Sequence, residues 1–441
     1  MQPTTNSPYR TVSQIGAKDA GSIVSVAGWV EDVRNLGGVA FIILRRKDGT
    51  LQLTLKKKEN EELFKRATSI TRESVIAAEG KVVANPQARN GYEIFPARLD
   101  VLSAAETPLP LGVVDKVTAE MDTRLDNRYL DLRKPEREAI FAVRSLALRS
   151  IRESMYKDGF IEVHTPKLAG AGAEGGASLF QTDYFGKKAY LSQSPQLYKQ
   201  MLMATGLDRV FEISPAFRAE PSDTVRHITE FISFDAEVAF IRDQEDFLKM
   251  LEECIADAIT YVKRNGKEHL EALGVDPRVP TLPIPRLRYV EAIDILRENG
   301  KKVREGDDID TDGEKVIGRA MKEKGAELYF LTEYPAAIKA FYIMPREDDP
   351  EYSNSFDMEY KGDEMASGGQ REHRYERLAA RMRSFGLDPA GFDFYLKAFR
   401  YGMPPHGGWG FGIDRFIHKM LDLPNIREAV LFPRDRNRLV P

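Results

Sequence analysis

Phe217-Arg218-Ala219-Glu220, a short polar loop, Arg226-His227, Glu230 and then the alternating run from Phe231 to Phe240 form the stretch that decides the fold of this chain. Alternation with a period of two marks a strand that buries one face. The stretch therefore reads as strand, loop, strand, with arginines flanking the loop. Arg218 and Glu220 stand two residues apart and share a strand face. Guanidinium forks match phosphate oxygens in shape and charge. That pairing favours a binding site over a charged surface hairpin.

Working outward, four other clusters carry side chains capable of chemistry. Toward the C-terminus, Pro404-Pro405-His406-Gly407-Gly408-Trp409-Gly410-Phe411-Gly412-Ile413-Asp414-Arg415 combines glycines, which let backbone approach a ligand, with an arginine opening a helix. A helix N-terminus favours anions. No Gly-Lys-Ser/Thr ending is present, and the dinucleotide spacing of glycines fails as well. Phe356-Asp357-Met358-Glu359, Asp363-Glu364 and Ser367-Gly368-Gly369-Gln370-Arg371-Glu372 place hard oxygen donors ahead of an expected glycine turn. Such carboxylates hold Mg²⁺; a solvated acidic loop is the alternative. Upstream, Gln193-Ser194-Pro195-Gln196-Leu197-Tyr198-Lys199-Gln200 delivers amides and an ammonium to a helix start, either as a site or as a solvated helix end. Ala171 to Ala177 surrounds Glu174 with small residues, as a close-approach loop or a flexible turn. Ahead of it, Ile140, Val143, Ala147, Ile151 and Met155 recur at helical spacing, Asp158-Gly159 ends that helix, and a strand follows that stops at Pro166.

The N-terminal part has a different texture. Short apolar strands between residues 11 and about 105, with Asp48-Gly49 as a hairpin signal, predict a small five-stranded barrel of OB type. Such barrels often bind single-stranded nucleic acid, and an interaction barrel without nucleic acid is the alternative. Residues 106–135 read as a connector, stiff at Pro108-Leu109-Pro110 and basic at Arg124, Arg128, Arg133 and Lys134. Residues 136–441 are long enough for one α+β catalytic domain, an antiparallel sheet flanked by helices. The stretch 241–330 reads as helical and charged, and no function is legible in it.

Composition bounds the rest. A net charge of −4 leaves no global field to recruit a polyanion, so such a partner needs a local basic surface. The one cysteine, Cys254, excludes intramolecular disulfides and a Cys-based zinc site, and fits a reducing cytoplasm. The scattered histidines lack metal-ligand spacing; His227 stands out through its neighbours. No run approaches the ~18 apolar residues that span a bilayer, and the polar N-terminus is no secretory signal.

Taken in order, these clusters resemble the three motifs of class II aminoacyl-tRNA synthetases. Gly159 to Pro166 resembles motif 1, Phe217 to Phe240 motif 2, and Gly407 to Arg415 motif 3. The chain looks most similar to the archaeal-type aspartyl enzymes, and the barrel resembles their anticodon-binding domain. The resemblance implies ATP, L-aspartate and tRNA-Asp as substrates, Mg²⁺ as cofactor, and a homodimer with Pro166 at its interface. It implies that Arg218 binds the α-phosphate, that Glu220 acts near the adenine and the tRNA end, that Arg226 and His227 hold the outer phosphates, and that Arg415 meets the γ-phosphate. By the same resemblance Asp357, Glu364 and Ser367 surround the metal. Glu174, Gln196, Lys199, Asp235, Ser367 and Arg371 form the amino-acid pocket. Phe41, Gln52 and Glu93 meet anticodon bases, although as a residue Phe41 could equally be core. Glu31 and Gln87 stand where enzymes strict for tRNA-Asp tend to carry a tryptophan and a lysine. That departure leads to the expectation that tRNA-Asn is charged as well. Asp414 stands where related sequences often have Glu, a conservative change. The rival readings are an asparagine–tRNA ligase and a synthetase-like RNA-binding protein without catalysis. The intact Arg218, Arg371 and Arg415 set argues against the second.

Overall fold

The computed structural model describes residues 7–114, 119–170, 179–219 and 224–441. The chain divides into two compact units, Met1–Thr123 and Arg124–Pro441. The division falls inside the 106–135 stretch. Arg124 and Arg128 are buried in the second unit. Arg124 Nη2 donates to Glu428 at 2.6 Å, and Arg128 Nη1 to Asp131 at 2.7 Å.

The first unit is a closed barrel of strands β1 (Ile23–Asn35), β2 (Val39–Arg46), β3 (Gly49–Lys56), β4 (Val75–Ala84) and β5 (Tyr92–Ser103), ordered β1-β2-β3-β5-β4. Alternation along these strands turns Val24, Val26, Ala40, Ile42, Leu44, Leu51, Leu53, Ile76 and Ile94 inward. Gly49 has φ of 128°, which closes the β2–β3 hairpin where a side chain would be strained. A helix, Glu61–Thr68, was not among the expected elements. Its signal is Asn60, whose side chain caps the Leu63 amide at 2.9 Å, ahead of Glu61 and Glu62 in the first turn.

In the second unit, β6 (Ile161–Glu162) is followed by β7 (Leu168–Ala169), β8 (Gln181–Tyr184) and β9 (Lys187–Leu191), which make a small sheet of order β7-β9-β8. Strands β10 (Arg209–Phe217), β11 (Glu230–Ala239), β12 (Arg286–Arg288), β13 (Leu328–Thr332), β14 (Ser355–Tyr360), β15 (Asp363–Gln370) and β16 (His406–Gly412) join β6 in an eight-stranded sheet, order β12-β13-β14-β15-β16-β11-β10-β6. The interior pairings are antiparallel. The β12–β13 and β10–β6 pairings at the edges are parallel, so the sheet is mixed rather than wholly antiparallel. One face packs Phe234, Ala236, Val238, Trp409 and Phe411 against the helices Pro135–Lys157 and Glu245–Asn265.

One expectation needs correction here. Ser367-Gly368-Gly369 lies within β15, not in a turn; the glycine-rich His406–Gly412 is likewise a strand within the sheet. Strand crowding is the reason. A Cβ on Gly408 would collide with the Ala236 carbonyl oxygen and stand 2.5 Å from Glu237 Oε2; one on Gly368 would meet the Gly408 carbonyl oxygen. Glycine here serves close strand approach rather than flexibility.

Candidate active site

The other face of this sheet is polar, and register explains how. In antiparallel pairing, directly opposed residues project from the same face. Asp357 opposes Ser367, Ser367 opposes Gly410, Gly410 opposes Asp235, and Asp235 opposes Glu212. One row across the sheet thus carries an acid, a hydroxyl, a gap and two acids. Ser233, Asp235 and Glu237 line up along β11 opposite Gly412, Gly410 and Gly408. The glycines leave a trough without side chains above β16. A cleft of about 280 Å³ lies over it.

Arg218, Arg226, His227, Glu364, Ser367, Arg371 and Arg415 line this one cleft, as do Gln196 and Asp235. The arginines come from separate stretches of chain, yet the sheet brings them around a single cavity. Lys199, in the helix Gln196–Leu202, is 2% exposed and not a solvated helix end. Its ammonium donates to Asp235 Oδ1 at 3.0 Å and to the Trp409 carbonyl at 2.7 Å, and stands 3.6 Å from Glu237. Arg371 Nε and Nη2 donate to the two Glu237 oxygens at 2.8 and 3.1 Å. Arg371 Nη2 also donates to Gln196 Oε1 at 3.4 Å. Burial opposes the charge on Glu237, but Arg371 and Lys199 overcome it and hold the carboxyl below the usual range. Glu237 was missed in the sequence. Its signal was available: it continues the polar face of Ser233 and Asp235 at the period of two.

Near the other end, Lys339 Nζ donates to Asp357 Oδ2 at 2.6 Å, while Asp357 Oδ1 is buried with no hydrogen-bond partner among the described residues. Burial and then the neighbouring Asp357 carboxylate push Glu364 above the usual carboxyl range, against Arg415 and Lys339. Two acids with this mutual repulsion and an unpartnered oxygen suit a cation. Among the described residues no group of three His, Cys, Asp or Glu side chains forms a self-sufficient metal cage. Mg²⁺ held by one or two carboxylates and by substrate phosphates needs none. Arg415 Nη1 donates to the Glu364 carbonyl at 2.5 Å. Arg218 lies over the Phe231 ring, 5.3 Å from its centroid. Arg226 contacts Asp363 and donates to Thr311 at 2.7 Å and to Glu314 at 3.4 Å. Burial, then Glu364, pushes Glu314 up to about 7, with Arg226 and Arg415 opposing. Lys339 and Glu314 carry no motif that would have singled them out. Asp414 accepts from the Ile232 amide at 2.6 Å and contacts Arg144, anchoring the helix that carries Arg415.

Glu174 and Glu220 lie outside the described residues. Pro166 sits between Thr165 and Lys167, both bonded to Glu212.

In the barrel, Phe41 is outside the core; it opposes Thr54, and Ile43 opposes Gln52. Gln52 Nε2 donates to Glu93 Oε2 at 3.1 Å, and Asn85 Nδ2 to Glu93 Oε1 at 3.1 Å. The Gln87 amide donates to Asn85 Oδ1 at 3.0 Å, which ties it to this outward cluster. Glu31 belongs to a different group, 3.7 Å from Arg45, which is itself paired with Glu73.

Comparison with known proteins agrees with this geometry. The family of class II tRNA synthetases (D, K and N) matches residues 120–436, and the OB-fold nucleic acid binding domain matches residues 24–102. The chain is 52% identical over 431 residues to the aspartate–tRNA(Asp) ligase of Pyrococcus abyssi, covering 97% of this chain and 98% of that protein. It is 49% identical over 422 residues to the aspartate–tRNA(Asp/Asn) ligase of Methanocaldococcus jannaschii, covering 96% and 95%. Among solved structures, asparaginyl-tRNA synthetase of Pyrococcus horikoshii with asparaginyl-adenylate superposes with a TM-score of 0.90 at 35% identity, covering 98% of this chain and 99% of that one. An arginine-lined cleft on a glycine-troughed mixed sheet, in a chain that begins with an OB barrel and is matched along nearly its whole length, places this chain among the class II tRNA synthetases of the D, K and N group, as an aminoacyl-tRNA ligase.

Proposed function

We propose that this chain is an aspartate–tRNA ligase, which activates L-aspartate with ATP and transfers it to the 3′-terminal adenosine of tRNA-Asp and of tRNA-Asn. The observation that carries the reading is the buried guanidinium of Arg371 in the cleft that also holds Arg218 and Arg415, backed by the buried ammonium of Lys199 bonded to Asp235 of that cleft. Glu237 occupies Nε and Nη2 of Arg371, and Nη1 has no partner among the described residues. A side-chain carboxylate meets that guanidinium edge and Lys199; Asp235 and Glu174 take the substrate ammonium. Asparagine would leave the cations underpaired, which costs several kcal/mol at ~1.4 per decade of selectivity. Relatives named for aspartate support the same choice.

The α-carboxylate oxygen forms a bond to the α-phosphorus as the bond to the pyrophosphate oxygen breaks. No protein nucleophile is needed; catalysis is positioning and charge neutralisation. Arg218 holds the α-phosphate, Arg226 and His227 the outer phosphates, Arg415 the γ-phosphate, and Glu220 the adenine and the tRNA end. Asp357, Glu364 and Ser367 would hold Mg²⁺, which when bound neutralises phosphate charge. In the second step the terminal ribose 3′-hydroxyl takes the aspartyl group and AMP leaves.

Phe41, Gln52 and Glu93 read the anticodon from the outward face of the barrel. Relaxed reading of its third base is supported by Glu31 and Gln87 and by relatives named for both tRNAs. A homodimer through the motif 1 side is supported by exposed Ile161 and Leu168, which flank Pro166 in the chain, and by exposed Tyr156 and Leu431, which share one surface groove. A cytoplasmic location follows, where these substrates meet.

The test is ATP–pyrophosphate exchange with aspartate against asparagine, followed by charging of tRNA-Asp and tRNA-Asn transcripts. Aspartate-dependent exchange and comparable charging of both tRNAs are expected. Exchange that prefers asparagine refutes the amino-acid assignment, and rejection of tRNA-Asn refutes the Glu31 and Gln87 inference.

A further inference from the structure

We propose that Gln200 and His406 are positioning residues for amino-acid recognition: a one-way hydrogen-bond chain starting at the Pro404 carbonyl decides which end of the Gln196 amide faces Arg371. Neither residue lines the cleft; both act through Gln196 and Arg371, which do. The inference deepens the aspartate–tRNA ligase reading and rests on it.

The chain can be followed atom by atom. A carbonyl only accepts, so His406 Nδ1, 2.8 Å from the Pro404 oxygen, must carry the proton. Burial pushes the imidazole down to about 4, so the ring is neutral near physiological pH and Nε2 offers a lone pair. Gln200 Nε2 lies 3.1 Å from it and donates. That turns Gln200 Oε1 toward the Gln196 amide nitrogen at 2.9 Å and the Tyr395 hydroxyl at 3.2 Å, both donors. Gln196 Oε1 is then the end left to accept from Arg371 Nη2 at 3.4 Å. The backbone closes the circuit, since the Arg371 amide donates to the His406 carbonyl at 2.8 Å.

Each link forces the next. Reversing the Gln200 amide would set its oxygen against the His406 lone pair and its NH₂ against that of Gln196. Reversing Gln196 would set its NH₂ against the guanidinium. Gln200 and His406 are both 0% exposed, so water cannot repair a reversed link. The neutral imidazole, tied to one fixed carbonyl, gives the network a single polarity. It holds the guanidinium and the amide of the pocket ready for a carboxylate.

The experiment is steady-state ATP–pyrophosphate exchange on the full-length protein. His406→Leu removes the acceptor, and His406→Gln restores an oxygen near the place of Nε2. Expected for His406→Leu is an aspartate KM raised about tenfold or more, the loss of one charge-linked hydrogen bond, with ATP KM within about twofold. His406→Gln should recover most of that loss. Gln200→Met, close in length and unable to donate to His406, should raise the aspartate KM in the same selective way, and it serves if His406→Leu fails to fold. Aspartate and ATP KM rising together, or His406→Gln no better than His406→Leu, would overturn the inference. Wild-type protein without aspartate-dependent exchange refutes the ligase reading itself. Wild-type exchange with unaltered aspartate KM in both His406→Leu and Gln200→Met refutes only the hydrogen-bond chain.

Discussion

Replacing Arg371 by leucine is the sharpest perturbation of the pocket. The side chain is 1% exposed, and its Nε and Nη2 are committed to Glu237. Leucine fills part of the volume but removes the donor to the substrate carboxylate. A hydrogen bond to a charged group is worth about 1.5–3 kcal/mol, or roughly 10- to 100-fold in kcat/KM. It also strands Glu237, which is 0% exposed and, among the described residues, keeps Lys199, 3.6 Å away, as its ion-pair partner. Removing one partner of a buried ion pair costs about 3–5 kcal/mol. That second penalty falls on folding and is read separately, by thermal melting. In pyrophosphate exchange, kcat/KM for aspartate should fall at least tenfold while the value for asparagine changes far less. The ratio of the two substrates is the decisive number, because a general loss of active protein cancels in it. Arg371→Lys keeps the charge without the fork and should fall between the two. A parallel loss for aspartate and asparagine would refute the assignment of Arg371 to the substrate side chain.

Asp357→Asn removes one of the two carboxylates proposed for the cation. It should raise the Mg²⁺ concentration needed for half-maximal exchange, and chelation should abolish exchange in the wild type; an unchanged Mg²⁺ dependence counts against this site. Phe41→Ala, on the outward face of the barrel, should raise the tRNA KM by the ~1–3 kcal/mol of a base stack while leaving pyrophosphate exchange and melting almost unaltered. A large drop in melting temperature would return Phe41 to the core. Glu314 titrates at about 7, raised from 4.5, so its contribution to stability is full below pH 4.5 and lost as pH rises through 7. Glu314→Gln should therefore melt like the wild type near pH 5 and above it at pH 8. A constant offset across that range would show that Glu314 does not titrate there.

Local pattern carried a large part of this protein. The alternating run along β11, the helical spacing of Ile140 to Met155, the Asp48-Gly49 hairpin and the Gly159 stop each depend on neighbours a few residues away. All appear where the spacing predicts. The ordered motif residues were equally legible, and with them the arginine set. What the sequence could not reveal depends on partners far off in the chain. Ser367-Gly368-Gly369 read as a turn because nothing local says that β14 and β16 crowd both sides of that stretch. The spacing around Lys199 left a site and a solvated helix end both open, because its acceptor, the Trp409 carbonyl, lies 210 residues on. Gln196 and Arg371 meet across 175 residues, and Glu237 gains its meaning only from that meeting. Propensity and periodicity are short-range properties, fixed by backbone sterics and by the side-chain repeat of strand and helix. Burial of charge is settled only when the sheet assembles, since each buried cation requires an anion that another strand must deliver.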